Sequence, residues 1–301
     1  MTNFIIIGIC LIAGMLFRRS KLLPADAHRG INAWLIYLAL PAVSFKYLPH
    51  ISWNTGLLLP VSAPVIIWLG ALLYIALFAA KNKPSAKTRA GLTLSTGLSN
   101  TSFMGFPLIA AFFGEKYIAI GVICDQVTFL LLATAGVGVA IKASEKRSSS
   151  VWGFIKKIAT FPPFLGCVGA LTIPHLIDIG TLNPVFDKLA GTVGPLALFS
   201  IGLQLQFKGW TDELKTISWA LIYKLMLAPA LVAVVAFIFK LHGIVTQVSI
   251  FEMAMPTLLS SSIVADDYEL NPKLSNLIIG IGLILGFATT SLWWVMLQAF
   301  K

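Results

Sequence analysis

Apolar residues run almost without interruption through this chain, and polar residues are confined to short gaps between the runs. The runs lie near 2–17, 31–48, 56–80, 90–113, 117–141, 151–173, 186–206, 214–239, 244–264 and 274–299. About 20 mostly apolar residues wound as a helix cross the roughly 30 Å of hydrocarbon in a bilayer. A backbone immersed in lipid must also satisfy its own hydrogen bonds, which a helix does. The pattern therefore predicts an all-α integral membrane protein of ten transmembrane helices. The most polar gap, 142–150 (KASEKRSSS), divides them into two sets of five.

Two prolines recur at similar places in the two sets. Pro41 and Pro195 are 154 residues apart, and Pro107 and Pro256 are 149 apart. These offsets predict a repeat, residues 1–145 and 146–301. An odd number of spans in each half makes the second half enter the membrane from the opposite side, so the repeats are inverted. Inverted repeats with interrupted helices at the midplane recur in secondary transporters, where one half rocks against the other around a central site.

Charge changes the picture in one respect. The net charge of +10 would fit a nucleic-acid partner, but only 11% of residues are charged, 57% are hydrophobic and the mean hydropathy is +0.88. Sixteen of the 22 Lys and Arg residues fall in alternate gaps, beginning with Arg18, Arg19, Lys21 and Arg29, and five fall in the gaps between. Basic loops stay in the cytoplasm. The bias thus predicts a multi-pass cell-membrane protein with both termini outside and no nucleic acid as partner. Arg18 and Arg19 follow the first apolar run rather than preceding it, the reverse of a cleavable signal, so that run is expected to remain as the first helix. Cys10, Cys124 and Cys167 all lie within runs and read as packing residues.

Polar groups inside the runs are the candidate chemistry. The fourth run contains Ser99-Asn100-Thr101-Ser102-Phe103-Met104-Gly105-Phe106-Pro107, and the ninth contains Glu252-Met253-Ala254-Met255-Pro256-Thr257-Leu258-Leu259-Ser260-Ser261-Ser262. Proline and glycine free backbone groups that then need partners in protein or water. The new helix N-terminus beyond a break favours an anion such as a carboxylate, with Asn100, Thr101 and Thr257 as neutral donors. Kinks and hydroxyl patches also serve close packing in helix bundles.

Three ionisable residues are expected within spans: Asp125, Lys224 and Glu252. A charge at a helix centre costs about 3 kcal/mol on insertion scales, so such groups pair or line a wet pathway. Glu252, one turn before Pro256, is the candidate to carry a coupling proton. If it pairs with Lys224, both stay ionised and the pair is structural or a gate. Asp125 and Gln126 are further gating candidates. Ser99, Asn100, Gln126 and Ser260 to Ser262 would supply oxygens to sodium in a sodium-coupled carrier.

The chain contains no GxSxG, HExxH, CxxC or GxxxxGK[ST] pattern. It therefore offers no catalytic set, metal site, cofactor or ATP site to an enzyme. Asn100-Thr101-Ser102 fits a glycosylation acceptor, but its place within a span argues against use.

Ile31-Asn32 with Leu40-Pro41 and Ser44-Phe45, Asn100-Thr101 with Met104-Gly105, Pro107 and Leu108, Ala197 to Leu203, and Met255-Pro256 with Ala265, Tyr268, Pro272, Leu274 and Ser275 occur in that order. At these residues the chain resembles the auxin efflux carrier family, which includes the plant PIN carriers and bacterial permeases linked to malate or malonate. The resemblance implies two inverted five-helix repeats, with helices 4 and 9 broken and crossing at their prolines. It also implies a scaffold bundle and a moving transport bundle, with substrate beside the crossover and homodimers as a common state. Carried onto this chain, it puts Asn100 and Pro107 on the first crossover helix and Pro256 on the second; with Thr101, Gly105, Thr257 and Ser260 beside them these are the candidate substrate-binding residues. The long central loop of plant members is replaced here by residues 142–150, and Glu252 is acidic, so a bacterial-type carrier of mono- or dicarboxylates is expected rather than an auxin carrier. Uniport, proton coupling and sodium coupling stay open, and a sensor or scaffold that keeps the fold without turnover is the reading from another class.

Overall fold

A computed structural model describes residues 2–24, 26–51, 53–144, 160–205 and 211–300. Its helices are α1 Thr2–Ser20, α2 Ala27–His50, α3 Thr55–Asn82, α4 Ala86–Gly97, α5 Thr101–Phe112, α6 Glu115–Ala143, α7 Pro162–Thr172, α8 Gly180–Gln204, α9 Leu214–Ile238, α10 Ile244–Met253, α11 Ser260–Asp267 and α12 Pro272–Phe300. Seven of them, α1, α2, α3, α6, α8, α9 and α12, are long and apolar enough to cross a membrane. They coincide with seven of the ten apolar runs. The other three runs behave differently. Run 90–113 divides into α4 and α5, and run 244–264 into α10 and α11. Of run 151–173, residues 151–159 lie outside the described part, as do residues 145–150 of the polar gap.

The helices carry their apolar side chains outward as well as inward. Leu73 and Leu77 of α3 and Phe237 of α9 are 65%, 62% and 75% exposed. Water would penalise such surfaces, whereas lipid tails accept them. The outward face thus fits a bilayer solvent.

Three prolines within the spans follow a widened turn and do not end their helices. Leu35–Ala39, Thr101–Gly105 and Tyr223–Leu227 are π turns, and each ends two residues before a proline, at Pro41, Pro107 and Pro229. A proline cannot donate to the carbonyl four residues back, and a π turn absorbs the missing bond by changing the local register. This corrects one expectation. The break in the fourth run falls at Leu98 to Asn100, where the backbone turns extended, and not at Pro107, which opens the α-helical part of α5.

The chain folds into two compact units. One comprises Met1–Asn54, Ser102–Gln126 and Ile155–Leu205, the other Thr55–Thr101, Val127–Phe154 and Gln206–Lys301. Each draws on both halves of the sequence.

In the first unit α1 lies directly on α8. A Cβ at Gly14 would strike the Phe199 carbonyl and the Gly202 Cα, and one at Gly202 would strike the Leu11 carbonyl. Paired glycines let backbones approach this closely. Asn32 of α2 accepts from Ser200 Oγ of α8 at 2.6 Å, joining two of the polar motif positions. In the second unit α3, α9 and α12 surround α4 and α10. Tyr223 Oη donates to the Ile67 carbonyl at 2.5 Å and Trp293 Nε1 to the Leu225 carbonyl at 2.9 Å. Phe78, Leu92, Leu221 and Ile278 belong to the buried apolar cluster beside them.

Candidate functional site

Within the second unit, the two unwound stretches pair with each other. Leu98 to Asn100 and Ala254 to Leu259 run antiparallel, with Ser99 opposite Thr257. Asn100 N–H donates to the Pro256 carbonyl at 2.8 Å, and Leu258 N–H donates to the Leu98 carbonyl at 3.0 Å. Extended backbone at membrane depth is tolerated only where protein satisfies it, and here each strand is the other's partner. Pro256 suits its place because it brings no N–H to satisfy while its carbonyl takes the Asn100 donor. Thr257 Oγ1 donates to the Ser95 carbonyl at 2.6 Å, tying the second strand to the last turn of α4. Its hydroxyl proton is therefore already engaged in the fold.

Ser95, Ser99, Asn100, Thr101 and Thr257 are all buried to 1% exposure or less. Asn100 Nδ2 and Ser95 Oγ are buried and have no hydrogen-bond partner among the described residues. Buried polar groups are normally paired, and an unmatched amide donor marks a place where a ligand oxygen would be welcome. Each strand then enters a new helix, α5 at Thr101 and α11 at Ser260. The first N–H groups of such a helix lack intrahelical acceptors. Ser260 itself is half-buried at that start.

Two charges lie against the strands. Lys224, on the π turn of α9, is fully buried; its Nζ donates to Ser99 Oγ at 2.5 Å and to the Met253 carbonyl at 3.4 Å. Glu252, also fully buried, precedes Met253 and interacts electrostatically with Lys224. The sequence left open whether these two residues meet; the fold brings them into one cluster with Ser99. What no sequence signal named is the buried Met253 carbonyl, which accepts from Lys224 Nζ at the end of α10.

The remaining candidates lie in the first unit. Asp125 is buried on α6 within electrostatic reach of Cys167 on α7, and Gln126 beside it is half-buried. Gly105 closes the π turn of α5. Pro107 lines a cavity of about 170 Å³ with Asn3, Lys46, Tyr47, Glu115, Gly194 and Pro195. Lys46 and Tyr47 also border a second cavity of about 430 Å³, with His50, Lys116 and Asp187. Lys46 pairs with Asp187 at 3.1 Å. Sequence reading passed over Lys46 because it stands near the end of an apolar run, where a lysine is ordinary.

A family model described as membrane transport protein matches residues 1–294, nearly the whole chain. The chain belongs to this family, that of the auxin efflux carriers. It is thus a multi-pass membrane transporter. Among family relatives, an uncharacterized transporter of Methanocaldococcus jannaschii is 26% identical, with 98% of each chain covered. An uncharacterized transporter of Methanothermobacter thermautotrophicus is 22% identical over 96% of this chain and 95% of its own. A Rhizobium meliloti protein named "Putative malonate transporter" is 23% identical over 89% of this chain and 86% of its own.

Proposed function

We propose that this transporter moves small organic anions, and carboxylates in particular, across the cell membrane by alternating access. The observation that carries the reading is the buried Asn100 amide, a donor with no partner among the described residues, standing where two helices unwind. A carboxylate oxygen accepts from that amide. Thr257 serves by holding the strand, and Ser260 and Thr101 by opening the helices that follow. Gly105 and Pro107 shape α5 beyond the first strand. The malonate name of the Rhizobium relative supports a short dicarboxylate as the first substrate to try.

In this reading residues 1–145 and 146–301 are inverted five-helix repeats making ten spans, the protein sits in a bacterial inner membrane with its termini outside, and homodimers form. The test is uptake of labelled malonate and malate into proteoliposomes, with indole acetate as comparison. Saturable flux of a dicarboxylate is expected. Asn100→Ala should keep the protein folded and weaken apparent affinity by about 10- to 100-fold, the range for losing a hydrogen bond to a charged group. Normal flux in that variant would remove Asn100 from the site, and no flux of any carboxylate in the wild type would count against the substrate class.

A further inference from the structure

The buried ammonium of Lys224 is held by groups that normally hold a free cation. Met253 is the last residue of α10, and its carbonyl is one of the four that a helix end leaves without an intrahelical donor. Ser99 stands in the unwound strand just past the end of α4. Both helices therefore present their C-terminal, partially negative ends toward this place. In ion-coupled carriers with interrupted helices, such C-terminal ends and unwound carbonyls coordinate the coupling Na⁺ or H⁺.

Here Nζ reaches Ser99 Oγ at 2.5 Å and the Met253 carbonyl at 3.4 Å, and Glu252 supplies the countercharge. We propose that Lys224 is a tethered cation, placing its ammonium between the unwound segments where a coupling sodium would otherwise bind, so that this carrier needs no sodium. An ammonium and a sodium ion share a single positive charge and a preference for oxygen ligands, and the four-carbon stem delivers one from α9 without an entry path. A lysine otherwise costly at that depth is then retained because it holds the two strands in register. The inference rests on the transporter reading, but its test does not.

The experiment measures the melting temperature of the purified full-length protein at constant ionic strength, with choline chloride replaced stepwise by sodium chloride or by methylammonium chloride. A ligand that binds only the folded state raises that temperature. The wild type should show no sodium-specific rise. Lys224→Ala, which leaves the ligand groups in place and removes the cation, should melt lower than wild type. It should then regain several degrees, saturably, with methylammonium or sodium and not with choline. If the alanine variant does not purify, Lys224→Ser takes its place, since it also drops the charge and leaves the space beside Ser99 and the Met253 carbonyl open. A sodium-specific rise in the wild type, or a variant indifferent to both small cations, would overturn the proposal. Malonate flux measured on the same preparations separates the two questions: absent flux with the cation pattern intact counts against the carboxylate substrate alone.

Discussion

Lys224 and Glu252 show what a single residue does in this fold. Each would be costly alone in a membrane interior, and each is buried completely. Losing one partner of a buried pair strands the other charge, at a cost of about 3 kcal/mol or more, whereas replacing both by apolar groups is often tolerated. Glu252→Gln should therefore lower the melting temperature clearly, and Glu252→Gln with Lys224→Met should recover much of the loss. A double-mutant cycle in detergent measures this coupling. Additive losses would mean that the two residues act separately. The same single variant bears on proton coupling: flux that loses its pH dependence with binding retained would make Glu252 the coupling group, and unchanged pH dependence would eliminate it.

At the scale of elements, helix against helix, glycine decides more than proline. The prolines at 41, 107 and 229 are absorbed by π turns, and their helices continue. The α1 and α8 pair, in contrast, has no room for a side chain at Gly14 or Gly202, since the atoms in the way are backbone and cannot rotate aside. Gly202→Leu should destabilise the protein by about 1 to 3 kcal/mol through overpacking, visible as a lower melting temperature. Gly8→Leu on the same α1, where a Cβ meets nothing within 4 Å, is the control and should be neutral. Equal effects of the two would deny the close approach. The two unwound strands belong to this scale as well. Their backbone bonds to one another replace the intrahelical bonds lost at the breaks, so their placement in the membrane does not depend on solvent.

For the whole molecule, the distribution of basic residues predicts an orientation that labelling can check. In a variant lacking Cys10, Cys124 and Cys167, a cysteine at Asn82, in a basic gap, should react with a membrane-impermeant maleimide only after the membrane is opened. A cysteine at His242 should react from outside in intact cells. The reverse pattern would place the termini inside and invert the orientation drawn from the charge bias.

Hydropathy is a local property of the chain, so the sequence by itself determined the membrane class, seven spans that the fold reproduces, and the neighbourhoods of the two interruptions at Ser99 to Thr101 and Pro256 to Ser260. It placed the first break at Pro107 because a proline looks like a break to a reader of residues; whether a helix ends there depends on whether a π turn can take up the missing donor, and that is settled by packing. Only the tertiary structure decided that Ser99 lies opposite Thr257, that Thr257 spends its hydroxyl on Ser95, and that Lys224 ends between Ser99 and Met253. These partners are 29 to 162 residues apart in the chain. Nothing in a local pattern chooses among the many polar groups at such distances. The choice is made when buried donors and acceptors, cut off from water, must find one another.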